Sequence, residues 1–159
     1  MSMISHRIGS AFVALFFMLA LPAFAQSTVK FDKESLVIQT AAGKKIGFVV
    51  EIADTNEQRQ RGLMYRKEMA DDAGMIFDFG TSKRVQMWME NTVLPLDMLF
   101  IDRAGTIRGI KQNAVPFSRD IIDSVTDVKY VLELNAGASA KLGIKSGDTV
   151  VSATIAKYK

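Results

Sequence analysis

Strand-length runs with a two-residue apolar repeat recur from Ser35 to Ile155, parted by Gly, Pro, Asn and Asp. Ser35–Thr40 alternates modestly, and Lys45–Ala53 (KIGFVVEIA) is rich in β-branched and apolar residues. The turn Ala41-Ala42-Gly43-Lys44 between them makes an N-terminal hairpin. Gly74–Phe79 (GMIFDF), Lys83–Glu90, Leu96–Ile101, Thr106–Lys111, Lys129–Leu134 and Val150–Ile155 continue the pattern. Asp102-Arg103-Ala104-Gly105 turns a second hairpin. Helical signals are two and short. Thr55 followed by Gln58 is a capping-box pattern opening Asn56–Arg61, which Gly62 ends, and Ala136–Leu142 is a small-residue helix. Asn113–Asp127, with Pro116, is the least regular part. The Gly147-Asp148 turn favours barrel-like closure over an open sheet. The expected fold is therefore mainly β (α+β), a compact barrel-like antiparallel or mixed sheet with two short helices.

The N-terminus follows different rules. His6 and Arg7 form a cationic start, Ile8–Leu21 is apolar, and Ala23-Phe24-Ala25 is an A-x-A cleavage pattern before Gln26. The apolar run is too short for a comfortable membrane span, and no Cys follows it for a lipid anchor. The expectation is a cleaved signal peptide over residues 1–25, a single β-rich domain over 26–159, and a periplasmic or secreted protein with no stable membrane span in its mature form.

Export also limits the chemistry. His6 is the sole His and there is no Cys, so Ser-His-Asp and Cys-His nucleophiles, Cys/His zinc sites and disulfides are all excluded from the mature domain. The core alone must hold the fold. Net charge is +3, and the charges are interspersed, so no nucleic-acid partner is expected.

Gln86–Asp102 (QMWMENTVLPLDMLFID) stands apart from the scaffold. It carries the only Trp, three Met and a carboxylate set in an apolar run. Alternation puts Val85, Met87 and Met89 on one side, and Arg84, Gln86, Trp88 and Glu90 on the other. Trp88 is then either a flat platform with a polar handle or ordinary core under a loop. Asn91-Thr92 breaks the strand and Pro95 bars a central-strand position. Asp97 shares a side with Leu99 and Ile101, so it must be paired, hydrogen-bonded or protonated. Its alternatives are a ligand contact or a tie for the Asn91–Pro95 turn.

Several blocks stand in a recognisable order. Arg61-Gly62-Leu63-Met64-Tyr65-Arg66 and Gly74-Met75-Ile76-Phe77 come first, then Trp88-Met89-Glu90-Asn91-Thr92, Pro95-Leu96-Asp97 and Phe100-Ile101-Asp102. Val131-Leu132-Glu133-Leu134, Gly137 and Gly147-Asp148 follow. The set resembles the bacterial and archaeal family called domain of unknown function 192, over roughly Phe48–Ile155. Glu90 stands where the family pattern often has Lys. The resemblance implies a small, mainly β, often exported domain and brings no established activity, so no catalytic residue carries over.

The candidate ligand-binding residues are Trp88, Asn91, Asp97, Arg61, Arg66 and Glu90, which fall in the same blocks as the Gly62 and Pro95 turns. Arg61 and Arg66 can meet a carboxylate or phosphate bidentately, or pair with Asp97 or Asp102. The expected function is a periplasmic small-ligand-binding module with a Trp/Arg/Asp-lined cleft, taking a small anionic or cell-wall-derived ligand. One alternative is a protein-interaction or structural domain using exposed parts of Val85–Ile101. Another is a carboxylate-dependent hydrolase drawing on Asp97, Glu90, Asp102 or Glu133. Binding is favoured over catalysis, and no cofactor or metal is expected. Met64, Met75, Met87 and Met89 offer thioethers, but Met87 and Met89 face away from Trp88.

Overall fold

The computed structural model describes residues 29–157, and within them the alternating runs become strands. The order is β1 (Lys33–Gln39), β2 (Lys45–Ala53), α1 (Asn56–Arg61), β3 (Ala73–Lys83), β4 (Gln86–Met87), β5 (Leu96–Ile101), β6 (Ile107–Ala114), β7 (Ile122–Asp123), β8 (Val128–Asn135), α2 (Ala138–Leu142), β9 (Thr149–Ser152) and α3 (Ala153–Ala156). The expected signal peptide lies outside the described residues.

Seven strands form one mixed sheet in the order β6-β5-β8-β3-β2-β1-β9, curled into a half-barrel. Both expected hairpins are present, as the antiparallel pairs β1–β2 and β5–β6. Only β2 and β3 run parallel. A parallel pair cannot be joined by a tight turn, so the chain crosses over through residues 54–72, carrying α1 with it. The Thr55 hydroxyl accepts from the Gln58 amide at 3.2 Å, and the Gln58 side chain accepts from the Thr55 amide at 3.0 Å, as the capping box requires.

The outer strands β6 and β9 meet at one end of the curl. Thr106 bridges Thr149, the Ile107 amide donates to the Asp148 carbonyl at 2.9 Å, and the Val150 amide donates to the Gly105 carbonyl at 2.7 Å. Gly105 has φ +91°, and a Cβ there would stand 2.5 Å from the Val150 carbonyl oxygen, so only glycine permits this approach. The Gly147-Asp148 turn completes the corner: the Asp148 carboxylate accepts from Lys145 at 2.8 Å and from Ala41 of the first hairpin turn at 2.9 Å.

The sheet is buried on both faces at its centre. On one face Ile76, Leu99, Tyr130 and Leu132 pack with Leu36, Phe48, Val50 and Val150. On the other, Met75, Phe77, Leu96, Met98 and Val131 are covered by Leu63, Val85 and Met89. Each large side chain removed from water contributes roughly 1.5–3 kcal/mol, so these two layers hold a domain that has no covalent staple. A buried ion pair, Lys129 Nζ to the Asp78 carboxylate at 2.9 and 3.1 Å, sits at the far end of β8. Burial pushes the Lys129 ammonium down, but Asp78 and the Tyr130 hydroxyl outweigh that and hold it above 10.5.

Three expectations need correction. Val150–Ile155 is not one strand: Ser152 ends β9 and caps a third helix, α3, accepting from the Ile155 amide at 3.3 Å. After Lys83, which ends β3, the run to Glu90 is strand only at Gln86–Met87, because its backbone is taken up by side chains and loops: Val85 donates to the Ser124 hydroxyl and Met89 to the Ser118 carbonyl. Gly74–Phe79 is too short, since β3 runs on to Lys83; Asn113–Asp127 is the least regular part as expected, with Ile122–Asp123 pairing Gln86–Met87 inside it.

Asp97, fully buried on β5, fastens this arrangement. Its carboxylate accepts from the Asn113 amide at 2.9 Å, the Gly137 amide at 3.1 Å, the Ser139 amide at 2.9 Å and the Ser139 hydroxyl at 2.6 Å. Burial alone would raise its pKa, but these donors outweigh burial and hold it below 3.8. Because the folded value is depressed, its stabilisation is present in full above the unfolded value and is lost as pH falls through the folded one. Asp97→Ala, which strands four donors, should cost about 3 kcal/mol or more in urea unfolding at pH 7. Asp97→Asn should remove part of the acid limb of stability below pH 3.8. An unchanged unfolding midpoint in both variants would overturn this role.

Candidate functional site

Among the gaps in the covering layers, one opens onto a buried acid of the sheet. Between α1 and the Gln86–Trp88 segment is a cleft of about 250 Å³, with buried Leu63, Phe77 and Glu133 as its floor and Gln60, Gln86 and Trp88 at its rim. Gly62 makes the cleft possible. It ends α1 with φ +45°, and a Cβ there would approach the Phe77 ring at 3.2 Å, so the helix end lies directly on β3. The chain then turns, and the Tyr65 amide donates to the Asn91 carbonyl at 2.9 Å, joining the Arg61–Arg66 block to the Trp88–Thr92 block. Tyr65 and Asn91 both have positive φ, as this tight crossing demands.

Trp88 is 50% exposed and forms one wall with Met87, while Met64 and Phe79 lie among the other lining residues. Arg61 also lines the cleft. Its guanidinium stacks 4.8 Å from the centre of the Tyr65 ring, and no carboxylate pairs with it among the described residues. Arg59 is its neighbour in the lining but is occupied, donating to the carbonyls of Asp54 and Asp78 and to the Asn56 side chain.

Of the residues singled out in the sequence, the structure brings Trp88 and Arg61 into one site and puts the others elsewhere. Arg66 pairs with Glu51 through both nitrogens and lies over the Phe31 ring. Glu90 pairs with Arg119 at 2.6 Å. Asn91 forms the turn beside the cleft, with its side-chain nitrogen 4.0 Å from the Met64 sulfur. Asp97 is on the opposite face of the sheet, with all its donors internal. The cleft is therefore not lined by the Asp that was expected. Asp102 accepts from Arg108 at 2.6 Å across its turn.

The acid in the cleft is Glu133. In register on β8 it lies between Met75 of β3 and Met98 of β5, on the face that also carries Phe77 and Val131. It is 4% exposed, lines the cleft, and has no hydrogen-bond donor among the described residues. Desolvation alone pushes its carboxyl from 4.5 up to about 8. A signal for it is present in KYVLEL, a carboxylate inside an apolar strand, as it is for Asp97 in LDMLFI. Which of the two is satisfied depends on donors from distant segments. Glu133 is the only carboxylate lining the cleft among the described residues, so the paired acids of a glycosidase are not assembled there. Nor do three His, Cys, Asp or Glu side chains gather anywhere among them to hold a metal.

No curated protein matches the chain. Among solved structures, a Sinorhizobium meliloti protein whose name suggests a transcription regulator is 53% identical, with a TM-score of 0.78 over 79% of this chain and 98% of that one. A protein of unknown function from Novosphingobium aromaticivorans is 34% identical, with a TM-score of 0.72 over 84% of this chain and 94% of that one. The family model described as an uncharacterized ACR, domain of unknown function 192, matches residues 37–152, from β1 to the end of β9. The chain belongs to that family.

Proposed function

We propose that this chain is an exported binding module for a small ligand with an anionic end, held in the cleft between α1 and Trp88. One observation carries the reading: a half-exposed Trp and an Arg without a carboxylate partner among the described residues share one cleft whose floor includes Leu63 and Phe77. The indole supplies a flat contact surface and the guanidinium a fixed fork for a carboxylate or phosphate. The regulator name of the Sinorhizobium meliloti protein is not taken over. Arg66, Arg84, Arg108 and Arg119 are each paired with a carboxylate, and no described helix exceeds six residues. No described helix is long and apolar enough to cross a membrane.

A second reading, a protein partner, rests on the segment around β7. Val115, Phe117, Ile121 and Val125 are all more than half exposed, and Phe117 and Val125 hold positive φ. Such residues cost less in water if something covers them.

Because Trp88 is the sole Trp, its fluorescence reports on the cleft alone. Titration with short straight-chain carboxylates and with acidic cell-wall fragments should shift that emission, and Arg61→Gln should weaken binding tenfold or more. Silence of Trp88 towards every one of these ligands would overturn the binding reading. Protein recovered from producing cells should begin at Gln26 and fractionate with the periplasm or medium; an intact N-terminus in the cytoplasm would refute export. For the second reading, light scattering should show self-association or a defined complex that Phe117→Ser with Val125→Ser abolishes. A strict monomer that captures nothing would count against it.

A further inference from the structure

We propose that the cleft takes a small zwitterion, an amine joined to a carboxylate by an apolar body, with Glu133 receiving the ammonium. The inference rests on the preceding reading for Arg61 and adds the opposite end of the ligand. A buried carboxyl on a sheet whose neighbouring positions are Met75 and Met98 is costly where Met or Leu would pack freely. Asp97 shows how this fold satisfies such a group, with four donors of its own. Glu133 has none among the described residues, and the one direction left open to it is the cleft.

The complement missing there is a compact cation with hydrogen-bond donors. The walls suit it, since aromatic rings, here Phe77 and Trp88, attract a cation over their faces, while the Phe79 ring already lies under Arg59 and Lys83. The other charged groups lining the cleft are Arg59 and Arg61, both from α1. Arg59 is held by carbonyls and Asn56, and Arg61 is stacked on Tyr65. Met75, Phe77 and Phe79 from β3 and Met98 from β5 carry no charge. An ammonium at Glu133 therefore meets no built-in competitor, and Arg61 is left for the ligand's carboxylate.

Binding is tied to a proton. With its pKa at about 8, Glu133 is largely protonated at neutral pH and must release its proton to solvent before it can pair with an ammonium. Apparent affinity follows the ionised fraction, so it should rise about fifty-fold from pH 6 to pH 8 and then level off.

The test is calorimetric titration of the purified protein with straight-chain ω-amino carboxylates of about four to eight carbons, beside the matched alkylammonium and alkanoate ions. Trp88 fluorescence is followed in parallel. The zwitterion should bind tightest, with the pH rise above and release of a proton at pH 6–7 seen from two buffers of different ionisation heat. Glu133→Gln should abolish both the slope and the proton release and reduce the zwitterion to the affinity of the alkanoate. Arg61→Gln should reduce it to that of the alkylammonium and leave the slope intact. A slope that survives Glu133→Gln, or an alkanoate that binds as well as the zwitterion, overturns the assignment of Glu133 while the Arg61 cleft stands. Failure of all three ligands overturns both readings. Urea unfolding without ligand gives an independent check. Because the folded value is raised, wild-type stability should decline as pH climbs from 4.5 to about 8, and Glu133→Gln should lack that decline. Identical pH profiles would show that the acid is not buried as described, and the proposal would fall with it.

Discussion

Strand β8 is covered on both faces from Val128 to Leu134, and each layer of the protein is built against it. It pairs antiparallel with β3 on one side and β5 on the other, so its backbone is fully committed to the sheet. Tyr130, Leu132 and Leu134 supply one core while Val131 supplies the other. A doubly buried strand tolerates polar side chains only where something compensates them. β8 carries two charged ones, Lys129 and Glu133, and their fates differ. Lys129 finds Asp78, an internal partner at hydrogen-bond distance. Glu133 faces a place where the covering layer parts.

That gap has a definite cause. The parallel pairing of β2 and β3 forces a crossover, the crossover places α1 over β3, and Gly62 lets the end of α1 lie against Phe77. The next covering segment arrives from Trp88–Thr92 and is fastened to the crossover through Tyr65 and Asn91. Two segments from different parts of the chain thus meet edge to edge, and the seam between them is the cleft. Arg61 and Trp88 stand on its two sides. Family membership is consistent with a scaffold of this kind, and the function is argued from the seam rather than from the fold.

Asp97 and Glu133 are a natural experiment in burying a carboxylate. They occupy adjacent strands one register position apart, with Asp97 opposite Leu134 and Glu133 opposite Met98. Their side chains point to opposite faces. On the Asp97 side, the start of α2 and the end of β6 converge with four donors, and the acid stays charged below its usual range. On the Glu133 side there are thioethers and rings, and the carboxyl holds its proton to about pH 8. The same chemical group is a fastening in one case and an open valence in the other.

Local pattern alone was enough for much of the molecule. The two hairpins, the helix Asn56–Arg61 with its capping box, the Gly147-Asp148 corner and the alternation that leaves Trp88 outward can all be read from neighbouring residues, because turn chemistry and two-residue periodicity act over a few positions. The short β4, the third helix, the partners of Arg66 and Glu90, and the exchange of Asp97 for Glu133 as the cleft's acid could not. Each depends on a group 15 or more residues away: Ser124 beneath Val85, Glu34 accepting from Thr154 of α3, Glu51 beside Arg66, Arg119 beside Glu90, Ser139 against Asp97. Composition and spacing state which side chains need a partner. Only the curled sheet, by bringing distant backbone amides to one carboxylate and none to another, decides which of them receives one from within.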